Sequence, residues 1–336
     1  MNRVTLTNFK CLNMTVLPKT DSKMKSTKND LYVVELLQKS IATGNPCLDL
    51  SYERLGDAGL IFLTRIKDLS HLTQLNLSWN KLTNKGIKAL AQCSSLTKLT
   101  TLILDSNEIG DEGAHAIAES KTFGSLQVLT LTKNHIGDSG ALALIKSANL
   151  SELSTLDLEL NQLGGERLIK FPDGTSVASL SRLNLQRNKI DDDTVLGWLQ
   201  TGAFASLKHL NLGWNKIGNK GILALAKSPM LSGLEQLILT SNMIGNEGAL
   251  AIAQSKHLES LMVLEMYDNN YNRSTAEALM DLRIRSLIKK HISGIELNLN
   301  GKRLGNKGLK ALARSDLLAG VETLSLRNNY FDHTGL

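Results

Sequence analysis

One hydrophobic phrase recurs along this chain. Leu72 to Gly86 reads LTQLNLSWNKLTNKG, Leu99 to Gly113 reads LTTLILDSNEIGDEG, and Leu126 to Gly140 reads LQVLTLTKNHIGDSG. The shared pattern is L-x-x-L-x-L-x-x-N-x-[LI]-G-x-x-G, followed by an Ala-, Leu- and Ile-rich stretch such as AHAIAES. Leucines two apart, as at Leu75 and Leu77, predict a short strand with one face turned inward. The stretch that follows has helical spacing and high helix propensity. Asparagine anchors the phrase at Asn80, Asn107, Asn134, Asn161, Asn188, Asn215, Asn242 and Asn269, each 27 residues after the last. A degenerate first unit carries Glu53 in that place. Two further units, at Lys302 and Asn329, follow a six-residue insertion. Eleven units account for nearly everything after residue 45.

Each conserved place in the phrase has a physical task. The asparagine has both a donor and an acceptor to satisfy backbone groups where the chain leaves the strand. Asp111, Asp138, Asn219 and Asn246 stand where a helix N-cap is expected. The glycine beyond them (Gly86, Gly113, Gly140, Gly221, Gly248) allows close backbone packing. One strand and one helix cannot bury a core alone, so the units must stack. The expected fold is therefore α/β, a curved solenoid or horseshoe with a parallel concave sheet and convex helices. Strands ~4.8 Å apart give eleven units an inner surface about 50 Å long.

These residues resemble the ribonuclease-inhibitor type of leucine-rich repeat, on the phrase itself and its G-x-x-G-A-x-A-I-A helix. The resemblance covers about residues 47–336. The uniform 27-residue period departs from the alternating 28 and 29 of the inhibitor, so that protein's partner is not carried over. The resemblance implies protein binding, mostly through the concave face. Members of the class include enzyme inhibitors, innate immune sensors, GTPase-activating proteins and effectors that intracellular bacteria direct at their hosts. A compact solenoid rich in Lys and Asn is similar in style to the last group.

The flanks divide the chain into three parts: a basic leader over 1–28, a capping helix over 29–45, and the solenoid over 46–336. Asn29-Asp30 followed by LYVVELLQKSIA predicts the N-capped helix. The last unit stops at Gly335-Leu336, where its helix should begin, so either the chain ends on an uncapped strand or part of the natural protein is missing. Two units break the phrase. One has Arg167 in the glycine place and a Pro172-Asp173-Gly174 turn; the other has Thr194 there, behind Asp191, Asp192 and Asp193. Those three acids lack the spacing of a cation loop, and an N-cap is the expected role for one of them. The insertion AEALMDLRIRSLIKKH predicts a lengthened helix. A longer period is also present: NLSWNKLTNKGIKALA at Asn76 returns as NLGWNKIGNKGILALA at Asn211, an offset of 135 residues or five units.

Composition and charge narrow the function classes. The 336 residues include 64 Leu and 27 Asn, with a net charge of +6. Residues 1–28 hold six cations against Asp21 alone, so five of the six charges sit outside the repeats. The basic balance is therefore no evidence for a nucleic-acid-binding body. No apolar run reaches the length of a membrane span, and the N-terminus has no apolar signal segment. Cys11, Cys47 and Cys93 are too few and too scattered for a disulfide framework or a zinc site, which points to free thiols in a reducing, cytoplasmic setting, or the host cytosol for a delivered effector.

Candidate binding residues follow from the strand register. Counting back from the asparagine, positions −6, −4 and −2 face the concavity, and −1 lies at the strand exit beside it. The −1 column contains Tyr52, Trp79, Leu160, Arg187, Trp214 and Asp268, the residue types that dominate binding hot spots among them. Packing on neighbouring turns is the bland alternative for the two tryptophans. The other columns add Asp105, Asp157, Glu159, Arg182, His209 and Tyr267. Acids outnumber bases there, which favours a partner with a basic patch and opposes a nucleic-acid backbone. Asp157 and Glu159 share a strand face at roughly 7 Å, as a carboxylate pair would, but periodicity gives them no pocket. No hydrolase, P-loop or metalloprotease motif is present, so neither cofactor nor metal is expected. The reading is a non-catalytic, monomeric module holding one protein partner by occlusion, as inhibitor or adaptor. The alternative is a regulator of another enzyme, such as a GTPase activator, with Arg187 inserted into the partner's site.

Overall fold

A computed structural model describes residues 35, 38, 42–66, 69–164, 180–200 and 204–333. The chain divides into two compact units, residues 1–161 and 162–336. In the first, strands β1 (Cys47–Asp49), β2 (Gln74–Asn76), β3 (Thr101–Ile103), β4 (Val128–Thr130) and β5 (Thr155–Asp157) pair in parallel and in sequence order. The register is exactly one repeat, with Leu75 opposite Leu102 and Leu102 opposite Leu129. Helices α1 (Gly56–Thr64), α2 (Asn84–Ala91), α3 (Asp111–Glu119) and α4 (Asp138–Ile145) alternate with these strands.

The second unit repeats the plan. Strands β6 (Arg182–Asn184), β7 (His209–Asn211), β8 (Gln236–Ile238) and β9 (Val263–Glu265) are parallel, with α5 (Asp192–Leu199), α6 (Asn219–Lys227) and α7 (Asn246–Ala253) between them. The insertion forms the long helix α8 (Arg273–His291), as its spacing predicts. It leads to a feature that the sequence pattern does not announce. The two-residue strand β10 (Ile292–Ser293) pairs antiparallel with β11 (Glu296–Asn298). Helix α9 (Gly305–Ala313) and the parallel strand β12 (Thr323–Ser325) follow. Among the described residues there are thus eleven repeat strands, the expected number.

The core lies between strand and helix within each repeat. Leu75, Leu77, Leu82, Ile87 and Leu90 of one repeat are all fully buried. The asparagine ladder satisfies the turn off each strand. Asn107 is buried; its Nδ2 donates to the carbonyls of Leu77 (3.1 Å), Leu104 (2.9 Å) and Asp105 (3.3 Å). Its Oδ1 accepts from the amides of Asn80 and Leu82, both at 3.0 Å. Five backbone groups are answered by one side chain, which explains why asparagine fills nine of the eleven places.

The expected capping role needs one correction. Asp111, Asp138, Asn219 and Asn246 are the first helical residues, and the caps are Gly110, Gly137, Gly218 and Gly245. Their side chains reach the next repeat instead. Asn84 accepts from Gly110 and Gly113, Asp111 from Gly137 and Gly140, and Asn219 from Gly245 and Gly248. The phrase glycine is required by this contact. A Cβ on Gly140 would stand 2.6 Å from Asp111 Oδ1, and one on Gly221 would stand 2.6 Å from Asp192 Oδ1.

The acidic triplet resolves into three structural roles. Asp191 caps its own helix through the Thr194 amide at 2.9 Å, Asp192 accepts from Gly218 at 2.7 Å, and Asp193 pairs with Lys220 at 2.7 Å. Among the described residues, no group of three or more His, Cys, Asp or Glu is placed to hold a metal ion, and no helix is long and apolar enough to cross a membrane. The leader, the turn at Pro172-Asp173-Gly174 with Arg167, and the terminal Gly335-Leu336 lie outside the described residues. So does most of the expected capping helix. Of the six described residues within it, Glu35, Gln38, Ala42 and Thr43 are helical.

Candidate functional site

Along β1, β2, β5, β7 and β8 the central leucine is buried and its two neighbours are half-buried, so positions −6 and −4 stand on the open strand face. Beyond them the −1 column has an unforeseen backbone. Tyr52, Trp79, Ser106, Lys133 and Leu160 in the first unit, and Arg187, Trp214, Ser241 and Asp268 in the second, all have φ between 54° and 66°. This left-handed conformation costs an L residue roughly 1–2 kcal/mol, and the repeat imposes it at every strand exit. Within each unit it turns the −1 side chains of successive repeats into one row.

In the first unit the row makes a stack. Tyr52 lies on Trp79 with centroids 5.3 Å apart and planes 12° from parallel. Lys133, two repeats further on, brings its ammonium 4.5 Å from the Trp79 ring centre by passing over Ser106. Tyr52 and Trp79 remain 66% and 44% exposed, so the packing alternative accounts for part of their surface only.

Beside this stack lie the expected carboxylates, in unequal environments. Asp105 accepts the Thr132 amide at 2.9 Å. Burial pushes its pKa up to about 6, against the pull of the Thr130 and Thr132 hydrogen bonds, and the charges of Asp157 and Glu159 push the same way. Asp157 Oδ1 accepts from the Thr132 hydroxyl at 3.0 Å and from the Glu159 amide at 2.9 Å. Asp157 therefore has a local turn to hold, a task shared by the −4 residues Asp49, Asn76, Asn184 and Asn211, which accept from the −2 amides of their own repeats. The L-[DN]-L sequence carries that signal, and strand periodicity alone does not. Leu160 is 38% exposed at the end of the same face. Burial and the neighbouring Asp49 raise the pKa of Glu53, the acid in the first asparagine place.

In the second unit Arg187 lies over the Trp214 ring, 5.0 Å from its centre, and Trp214 is 50% exposed. His209 Nδ1 is 3.1 Å from Gln236 Oε1, Asn211 Nδ2 donates to Gln186 at 2.8 Å, and Arg182 is exposed at the start of β6. Ser241 Oγ donates to Asp268 Oδ2 at 3.4 Å, and Tyr267 stands 64% exposed beside it. Asp157, Glu159 and Leu160 belong to the first unit, and Arg182 and Arg187 to the second. The residue that sequence reasoning passed over is Lys133. It lies 54 residues beyond Trp79, two repeat periods, and this spacing is the signal that could have found it.

Comparison with known proteins agrees with the fold. The family described as Leucine Rich repeat matches residues 68–91, 95–118, 125–144, 205–226 and 234–253. No curated protein matches the chain in sequence. Among solved structures, an internalin (inlF) of Listeria monocytogenes is 20% identical, with 88% of this chain and 84% of that one covered and a TM-score of 0.47. A TDR receptor is 18% identical over 88% of this chain (TM-score 0.43). The plant peptide hormone receptor RGFR1, solved in complex with RGF2, is 18% identical over 81% (TM-score 0.39). The chain spans 46% and 38% of the lengths of those two receptors. Five of the eleven repeat strands, each with the helix that follows it, lie in segments that match this family, and the fold is that of leucine-rich repeats.

Proposed function

We propose that this chain is a non-catalytic module that holds one protein partner on its strand face and acts by occlusion, as an inhibitor or adaptor. The observation that carries this reading is the row of left-handed −1 residues, with Tyr52 and Trp79 exposed in the first unit and Trp214 exposed in the second. Rigid aromatic side chains lose little entropy on contact and dominate binding energy where they are found. The carboxylates Asp105, Asp157 and Glu159 beside the first stack favour a partner that presents a basic patch. The free thiols of Cys47 and Cys93 fit a reducing compartment, and we take the chain to act in the cytoplasm as a monomer. No observation favours regulation of a partner enzyme, because Arg187 rests on Trp214.

The test is the affinity for a captured partner of three variants, Trp79→Ala, Trp214→Ala and Glu159→Lys. Loss of a hot-spot aromatic weakens binding by about thirtyfold, equivalent to ~2 kcal/mol. Unchanged affinity in all three, with folding intact by circular dichroism, overturns the assignment of the strand face.

A further inference from the structure

The two duplicated blocks solve the same packing problem differently. In the first, the −1 row reads Tyr52, Trp79, Ser106, Lys133; five repeats later it reads Arg187, Trp214, Ser241, Asp268. One ring face is covered in each case by the preceding repeat, through Tyr52 on Trp79 and Arg187 on Trp214. The opposite face looks toward the following repeats. In the first block the small Ser106 leaves that side open, and Lys133 fills it with an ammonium 4.5 Å from the ring centre. In the second block the same small residue, Ser241, is followed by Asp268, whose carboxylate leans on the serine hydroxyl at 3.4 Å. A carboxylate has no attraction for the negative face of an indole. Among the described residues of the second block, none occupies the place that Lys133 takes in the first.

We propose that the open face of Trp214, with Ser241 as its floor and Asp268 as its far wall, is a seat for a lysine ammonium of the protein partner. The intramolecular Lys133 displays the geometry that the incoming lysine would adopt. Asp268 adds what the first block lacks, a counter-charge facing the seat. Of the other charged groups, Glu265 lies in the same repeat as Asp268, and Arg187 lies over the indole ring. Trp214, Tyr267 and Asp268 are all exposed, so a side chain can enter from solvent. The proposal rests on the strand-face reading above and refines it to one residue type at one place.

The probe is an octalysine peptide added to the full chain carrying Trp79→Phe and Trp198→Phe, in which Trp214 is the sole tryptophan. A saturable change in Trp214 emission is expected. Asp268→Asn raises the dissociation constant by about two- to fivefold, and Asp268→Lys, which supplies the ammonium from within, abolishes the response. Glu247→Lys makes the same change in net charge at the head of α7 and leaves binding as it was. A reciprocal variant reads the first block. With Trp79 as sole tryptophan, Lys133→Asp gains an octalysine response that the parent lacks. Absence of any response at Trp214, or equal affinity in Asp268→Lys and Glu247→Lys, overturns the seat. If captured partner still depends on Trp79 and Glu159 while octalysine fails, the seat falls alone and the strand-face reading stands.

Discussion

One carboxylate oxygen of Asp111 receives the amides of both Gly137 (2.7 Å) and Gly140 (3.0 Å), the cap and the third residue of the next repeat's helix. The contact ties each repeat to the next on the helix side, as the asparagine ladder does at the strand exit. It also fixes the glycine, since any Cβ at Gly140 would meet that oxygen. Asp111→Ala is expected to lower stability by about 1–3 kcal/mol, because two helix-terminal amides lose a charged acceptor. Gly140→Ala should cost a similar amount by steric displacement of the same carboxylate. Glu112→Ala, which removes only the exposed pair with Lys88, should leave the urea midpoint close to that of the parent. Urea midpoints of the three variants decide the matter; equal effects at Asp111 and Glu112 would refute it.

The asparagine ladder makes a sharper demand. Replacing Asn107 by Leu strands the amides of Asn80 and Leu82 and takes one donor from the carbonyls of Leu77, Leu104 and Asp105, each of which keeps another. Each unanswered buried amide costs about 1–3 kcal/mol, so a loss of at least ~2 kcal/mol is expected. Hydrogen exchange localises the damage: the amides of Asn80 and Leu82 should exchange early, while those around Ile238 keep their protection.

Asp105 predicts a pH dependence of definite sign. Its folded pKa, about 6, lies above the value of 3.8 for a free carboxyl, because burial disfavours the charge. Between those two values the folded chain holds a proton that the unfolded chain has lost. Stability attributable to this group therefore falls as pH rises from about 4 to about 6, by on the order of 2–3 kcal/mol. Asp105→Asn should flatten that interval and stabilise the chain at pH 7.5. A variant with the wild-type slope would show that the carboxyl titrates normally.

The left-handed row is testable through the backbone alone. Leu160 has φ of 57° with its side chain 38% exposed. Leu160→Gly removes the steric penalty and should be neutral or stabilising by up to ~1 kcal/mol, allowing for the entropy of glycine. Leu160→Val adds a β-branch in the same conformation and should destabilise by about 1 kcal/mol. Thermal melts of the pair give the comparison, and the reverse order would contradict the conformation.

Much of the molecule was legible before any coordinates. The 27-residue phrase determined the alternation of strand and helix, the buried leucines, the role of the asparagine and the lengthened helix at 273–291, because each depends on local propensity and the period of burial. The candidate surface was legible as columns, since a parallel register of one repeat carries every residue to its own place in the next. What the columns do was settled in three dimensions. Asp111 reads as a cap for its own helix, yet it answers amides 26 and 29 residues ahead, because stacking brings the next helix start within reach of its oxygen. Lys133 reads as a separate charge, yet it covers Trp79, because Ser106 is small enough to let a long side chain cross one repeat. Asp105 reads as one strand-face acid among several, yet the neighbours packed around it push its pKa up to about 6. Periodicity assigns a residue to a row; side-chain length, the size of the neighbour and the depth of burial decide which atoms meet.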